Sequence, residues 1–361
     1  MQQRYGVLIV DDSSFMRKCI SDIIEKDPYL FVIGIARNGQ DAVEKIQRLK
    51  PDIVTMDVEM PEMDGIEALK VIMRSCPVPV VMLSNHTEEV AKTTLQALEL
   101  GAVDFFLKNA LMGAKADQQL VEIFLSCLKN IVEGVKPPLH HPIKTSPIKA
   151  PIIITPPKDI PPIVASMVKK HKADILIIGC STGGPSALHL LLPCFPKDTN
   201  VPIVVIQHMP VGFTKPLADR LNTTCNLHVK EAEDGQVLKA GTIYIAPAGS
   251  QTQMTRESNE CVTLRVGASS PIETLFRPSV NVTLLSAAQV YKNRLTAIIM
   301  TGMGNDGLMG CEEVKKQKGR VIVEAKESCV VYGMPRVVFE AGLADVQVPL
   351  TQIFQQAMQS L

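Results

Sequence analysis

The stretch from Val135 to Pro162, "VKPPLHHPIKTSPIKAPIIITPPKDIPP", constrains the fold of this chain more than any other. It is dense in proline and has no apolar period. Proline removes backbone donors and favours extended conformations, so neither a helix nor a central strand fits here. The composition predicts a semi-rigid linker over residues 134–170, with one domain before it, 1–133, and another after it, 171–361. A chain of 361 residues is also longer than a single hydrophobic core usually grows to. His140 and His141 fall inside the linker with no cysteine or carboxylate at ligand spacing, so no metal site is expected there.

On either side of the linker, strand-like and helix-like patterns alternate. Before it come "YGVLIV", "LFVIGIA", "DIVTMD", "VPVVML" and "AVDFFL", separated by helical patterns at 14–26, 39–49, near 67–74 and 88–99, and followed by one at 117–133. Five strands alternating with five helices predict a flavodoxin-like parallel sheet covered on both faces. After the linker, "ADILIIG", "VPIVVIQ", "LTAIIMT" and "GRVIVEA" alternate with helical patterns at 185–192, 215–221, 308–318 and 348–360. An irregular stretch to about Arg277 carries "GTIYIA" and "CVTLRV", which read as added β-structure. The expected class is therefore α/β in both halves, the second doubly wound and mainly parallel.

Composition narrows the function classes. Lys+Arg and Asp+Glu are both 37, which gives no whole-chain reason to expect nucleic acid or an anionic membrane as partner. Nine scattered cysteines without a C-x-x-C pair suit reduced thiols in the cytoplasm. No apolar run approaches the roughly 18 to 20 residues of a membrane span, and the start reads as a first strand rather than a secretory signal. A soluble, cytoplasmic chain is expected.

Two groups of residues carry chemistry. In the first half, Asp11 and Asp12 follow the first strand, Asp57 ends the third, Ser84 follows the fourth, and Lys108 follows the fifth. A parallel sheet gathers these positions on one rim. Taken singly, each carboxylate could merely cap a helix. Together, converging carboxylates call for a cation, and hard oxygen donors suit Mg²⁺. Such a metal would neutralise a phosphoryl group arriving on Asp57, with Ser84 and Lys108 binding its oxygens.

In the second half, "IIGCSTGGPSALHLLL" breaks from a strand through a glycine turn into a helix. It lacks the G-K-[ST] ending of a P-loop and the G-x-G-x-x-G of a dinucleotide fold. It does contain Gly179-Cys180-Ser181-Thr182-Gly183, formally the G-x-S-x-G of a nucleophile elbow, although a helix-capping serine would read the same way. A serine nucleophile needs a base and an orienting acid. His208 ends the next strand and Asp306 follows another buried one, so parallel strands would bring all three to one rim. Cys180 competes as a nucleophile, but its neighbours place it at the buried end of the strand.

The first 130 residues resemble the receiver domain of bacterial two-component response regulators through "VDDS", "DIVTMDVEMPEMDG", "MLSN" and "DFFLKN". That resemblance implies phosphorylation of Asp57 by a histidine kinase and a switch role for Phe105. Asn109 departs from it, since a proline usually follows the lysine. The half from about Asp174 resembles the catalytic domain of the protein-glutamate methylesterases of bacterial chemotaxis, through "GCSTGGP", "VIQHMPVGFTKPLADRLN", "VKEAEDG", "YIAPAG", "FRPSVN", "TGMGNDG" and "ESCVVYGMP". It implies Ser181 as nucleophile, His208 as general base then acid, Asp306 as its orienting partner, and oxyanion amides at Thr182 and Met303. Arg277 would position substrate, while Phe276 stands where this family commonly has histidine.

The implied activity is demethylation of glutamate methyl esters and deamidation of glutamines on methyl-accepting chemoreceptors, without a cofactor for the esterase step, under control of the receiver. A phosphorylation-controlled scaffold without turnover is the alternative. A transcription factor would need a basic recognition helix, which the output half does not show.

Overall fold

The computed structural model describes residues 4–85, 88–112, 118–134, 172–257 and 261–361. The expected linker, with His140 and His141, lies outside them except for Gly134, which ends a helix.

The first unit runs β1 (Tyr5–Val10), α1 (Ser14–Ile24), β2 (Leu30–Ala36), α2 (Gly39–Leu49), β3 (Ile53–Asp57), α3 (Gly65–Ser75), β4 (Val80–Ser84), α4 (Glu88–Glu99), β5 (Asp104–Leu107) and α5 (Gln118–Gly134). Its five strands are parallel, in the order β2-β1-β3-β4-β5. Val7 to Val10 are fully buried because helices cover both faces of the sheet. Ser13, Asn38 and Asp64 cap the first three helices, and Asp64 forms a capping box with Glu67. Each helix therefore starts just past a strand end, where the chemistry-bearing residues lie.

The second unit runs β6 (Ile175–Cys180), α6 (Gly184–Leu191), β7 (Ile203–Gln207), α7 (Thr214–Thr224), β8 (His228–Glu231), β9 (Thr242–Ile245), β10 (Gln251–Arg256), β11 (Val262–Gly267), α8 (Val280–Tyr291), β12 (Leu295–Ile299), α9 (Leu308–Lys316), β13 (Arg320–Glu324), α10 (Met334–Glu340), β14 (Val346–Val348) and α11 (Leu350–Met358). Seven parallel strands are ordered β14-β13-β12-β6-β7-β9-β8, and β10 and β11 form a separate antiparallel pair. The strand order reverses beside β6, at the crevice where open α/β sheets place their sites.

The α/β class and both parallel sheets match the sequence reading, but several elements do not. It has no α8, α10, β8, β10 or β14, and it runs the last helix over 348–360, whereas the structure makes 346–348 a strand and the helix 350–358. α8 reads "VNVTLLSAAQVY" and buries Val280, Val282, Thr283, Leu284, Ala287 and Ala288. A helix apolar on nearly every side has no polar face to mark its period.

Candidate active site

Register builds the second site. Parallel pairing sets Cys180 opposite Gln207 and Ile299 opposite Gly179, so Ser181 and His208 are the next residues out along neighbouring strands. The Cys180 carbonyl accepts from the His208 amide at 3.1 Å, and the Thr301 carbonyl accepts from the Ser181 amide at 3.0 Å. Gly183 turns the chain with φ +76°, and a Cβ there would press on Val330. Gly302 lets the 301–304 loop approach, since its Cβ would meet Ser181 Cβ at 2.8 Å.

His208 Nε2 lies 2.8 Å from Asp306 Oδ2. Asp306, fully out of solvent, also accepts from the Ser279 hydroxyl at 2.9 Å and from the amides of Val280 and Asn281 at 2.7 and 2.9 Å. Those donors are the N-terminus of α8, whose unpaired amides favour an anion. Burial pushes the Asp306 carboxyl up, but His208 and the two amides outweigh it and hold the group below its usual range. An ionised Asp306 fixes the ring proton on Nε2, which leaves Nδ1 as the acceptor. Nδ1 is buried and has no hydrogen-bond partner among the described residues. It is the ring nitrogen left free to accept a proton.

Neither the Thr182 nor the Met303 amide donates to another group among the described residues, as an oxyanion-binding role requires. Cys180 is fully buried, its thiol pushed up out of reach of ionisation by burial and next by Glu324, with Sγ 3.1 Å from Gln207 Oε1. It is inert. Arg277 is exposed, and its carbonyl accepts from Gly249 N at 3.0 Å.

Three contacts escaped the sequence reading. Glu324, fully buried at the end of β13, accepts from Thr301 N at 2.8 Å and Ser328 Oγ at 2.9 Å, and burial raises its carboxyl. Thr301 Oγ1 donates to the Thr182 carbonyl at 2.9 Å, so Glu324 braces the loop beside Ser181 from behind. Ser279 belongs to the quoted "FRPSVN", but its bond to Asp306 crosses 27 residues of chain. The ring of Phe276 lies on that of His208, a contact that spacing alone does not reveal.

In the first unit the predicted rim is assembled. Carboxylate oxygens of Asp11, Asp12 and Asp57 all lie within 4.8 Å of one another, Asp12 exposed and the other two buried. Lys108 Nζ stands 2.8 Å from Asp11 Oδ2 and 2.5 Å from Asp57 Oδ2. Burial opposes the lysine's charge, but the two carboxylates outweigh it and raise its pKa. Burial also pushes the Asp57 carboxyl up to about 6, against the pull of Lys108. The peptide between Lys108 and Asn109 is not cis. Ser84 is fully buried, and its hydroxyl donates to Asn85 O and accepts from Thr94 on α4, both at 3.0 Å.

The two units meet across α4, β5 and α5. Phe105 stacks on Phe213, 4.6 Å between centroids. Glu99 forms a two-point ion pair with Arg220 on α7 and reaches His189 on α6 at 3.4 Å. Cys127 Sγ lies 3.9 Å from both Asp104 Oδ2 and Thr182 Oγ1, and Val331 joins the apolar cluster of Phe124, Leu128 and Ile131. The receiver-like unit thus packs on the residue next to Ser181.

Fold and site define a two-domain protein in which an acidic-rim receiver domain is docked on a serine-hydrolase-type α/β domain. The models for the CheB methylesterase and for the response regulator receiver domain match residues 176–357 and 7–115. The protein-glutamate methylesterase/protein-glutamine glutaminase of Halalkalibacterium halodurans is 43% identical over 345 residues, covering 96% of this chain and 95% of the relative. That of Thermotoga maritima is 42% identical over 349 residues, covering 96% of each. The crystal structure of the Thermotoga maritima CheB methylesterase catalytic domain covers 53% of this chain and all of its own, at 45% identity and TM-score 0.51. This chain belongs to the CheB family of protein-glutamate methylesterase/protein-glutamine glutaminases.

Proposed function

We propose that this chain hydrolyses glutamate methyl esters and deamidates glutamines on methyl-accepting chemoreceptors, in the cytoplasm, with Ser181, His208 and Asp306 as the catalytic set. The observation that carries this reading is the ionised Asp306 on His208 Nε2 with Nδ1 left buried and unpaired next to the serine strand end. Ser181 Oγ attacks the ester carbonyl while Nδ1 takes its proton. The oxyanion forms against the Thr182 and Met303 amides. His208 then gives that proton to the leaving methoxy oxygen, which departs as methanol, or to the leaving nitrogen of a glutamine, which departs as ammonia. Water, deprotonated at the same nitrogen, releases the glutamate and restores Ser181. No step calls on a cofactor. Arg277, exposed in the loop before α8, is the residue that positions substrate.

The receiver supplies the control. Asp57 is the phosphoryl acceptor, with a histidine kinase as donor. The carboxylates of Asp11, Asp12 and Asp57 offer three hard oxygen donors at a spacing that suits Mg²⁺, which when bound supplies charge neutralisation for the incoming phosphoryl oxygens. Lys108 already touches Asp57 and holds the phosphoryl group after transfer. A Ser84 hydroxyl drawn to that group leaves Thr94, and Thr94 sits on α4, which carries Glu99 to the interface. Phe105 is the other link, through its stack on Phe213. Phosphorylation therefore biases the docked pair toward separation.

The test is methanol release from methylated chemoreceptor membranes. S181A is expected to lower it by at least about 10³-fold. Release from S181A at the wild-type rate would remove Ser181 from the mechanism.

A further inference from the structure

The His208 ring has two edges and two faces. Asp306 occupies one edge, and Nδ1 on the other is buried with no hydrogen-bond partner among the described residues. One face is covered by Phe276, with ring centroids 4.3 Å apart and planes within 4° of parallel. We propose that Phe276 is a positioning residue for His208: its ring locks the imidazole in the plane shared by Ser181 and Asp306 and stabilises the charge the imidazole gains in each half-reaction.

Two features separate this from loop structure. The backbone of the Phe276 segment is fixed without its ring: the Phe276 carbonyl accepts from Gln251 Nε2 at 2.7 Å, and the Arg277 carbonyl from Gly249 N at 3.0 Å. Gln251 Oε1 in turn accepts from Ser279 N at 2.9 Å, tying the loop to the cap that holds Asp306. The ring is also only half-buried, so it is not a main support of the core. What the ring touches is the base. A benzyl ring has no hydrogen-bonding atom to compete for Nδ1, and its negative face attracts a cation stacked on it. Its covering of one face also keeps water from solvating the imidazole out of line.

The inference rests on the catalytic reading of Ser181, His208 and Asp306, and the experiment separates the two. Full-length wild type, F276L and F276Y are compared in kcat and KM for methyl-ester hydrolysis on methylated chemoreceptor membranes, with melting curves as a control for folding. Leucine keeps apolar bulk without a ring face; tyrosine keeps the face. F276L is expected to lose about tenfold in kcat with KM within twofold, and F276Y to stay near wild type. An active wild type with F276L unchanged in kcat, or with F276L altered only in KM, overturns the role for Phe276, the latter making it a substrate contact. F276Y falling with F276L at an unchanged melting temperature also overturns it. An inactive wild type overturns the catalytic reading itself.

Discussion

Asp306 gathers four donors, His208 from one segment and the consecutive Ser279, Val280 and Asn281 from another, and His208 with the two amides holds its carboxyl below its usual range. D306N would keep the volume but present an amide where Nε2 needs an acceptor, reversing the ring tautomer. The expected loss in kcat is about 10⁴-fold, with KM little changed, as measured by methanol release. Glu324 makes a subtler case. Its oxygens hold Thr301 N and Ser328 Oγ, and glutamine can still accept from the first. E324Q should stay within about threefold of wild type, whereas E324L strands a buried amide at a cost of about 1–3 kcal/mol and lowers kcat at least tenfold. Melting curves and turnover together check this. Ser181, His208 and Asp306 were legible in the sequence because strand ends in a parallel sheet share a rim. Glu324, Ser279 and the Phe276 stack were not, because each acts through a contact between segments whose approach the sequence does not state.

At the scale of elements, α8 shows where the reading of the sequence ran out. Its largely apolar surface hides its period, yet its N-terminal amides join His208 in holding the Asp306 carboxyl below its usual range. β14 is absent from that reading, with only Val348 given to the following helix, because three residues are too few to show alternation. The helix α4 and strand β5 were legible as elements but not as an interface. There, Asp104 is pushed up to about 6 by burial, against Phe105 N, the Thr182 hydroxyl and the Cys127 thiol. A carboxyl raised in the docked state binds its proton more tightly there than when exposed. Its contribution to docking is therefore full below about pH 4 and is lost as pH rises through about 6. His189 acts with the opposite sign: burial lowers its pKa, the nearby Glu99 raises it and Arg220 lowers it, so docking favours its neutral form and weakens on the acid side. D104N removes the first effect alone. At pH 7.5 this variant should dock more tightly than wild type, with basal methanol release reduced several-fold, while H189 titration still loosens it at acid pH.

For the whole molecule, the two sheets were legible as separate doubly covered units, and the family resemblance implied their roles. How they dock was not legible, since it depends on side chains meeting across two domains. The clamp is modest in parts. A partly exposed ion pair such as Glu99–Arg220 contributes about 0–1 kcal/mol, and the Phe105–Phe213 stack about 0.5–1.5 kcal/mol. Contacts of this size suit a switch that one phosphoryl group has to tip. E99Q should accordingly raise basal methanol release about two- to fivefold without changing the rate reached with a phosphate donor present.

The most direct measurement is methanol release by the full-length chain on methylated chemoreceptor membranes, with Mg²⁺ throughout and a small phosphate donor present or absent, alongside D57N. Release should rise with the donor in wild type and stay at the basal rate in D57N. Release that ignores the donor while Asp57 is shown to be phosphorylated would contradict control by the receiver, and no release under either condition would contradict the esterase itself.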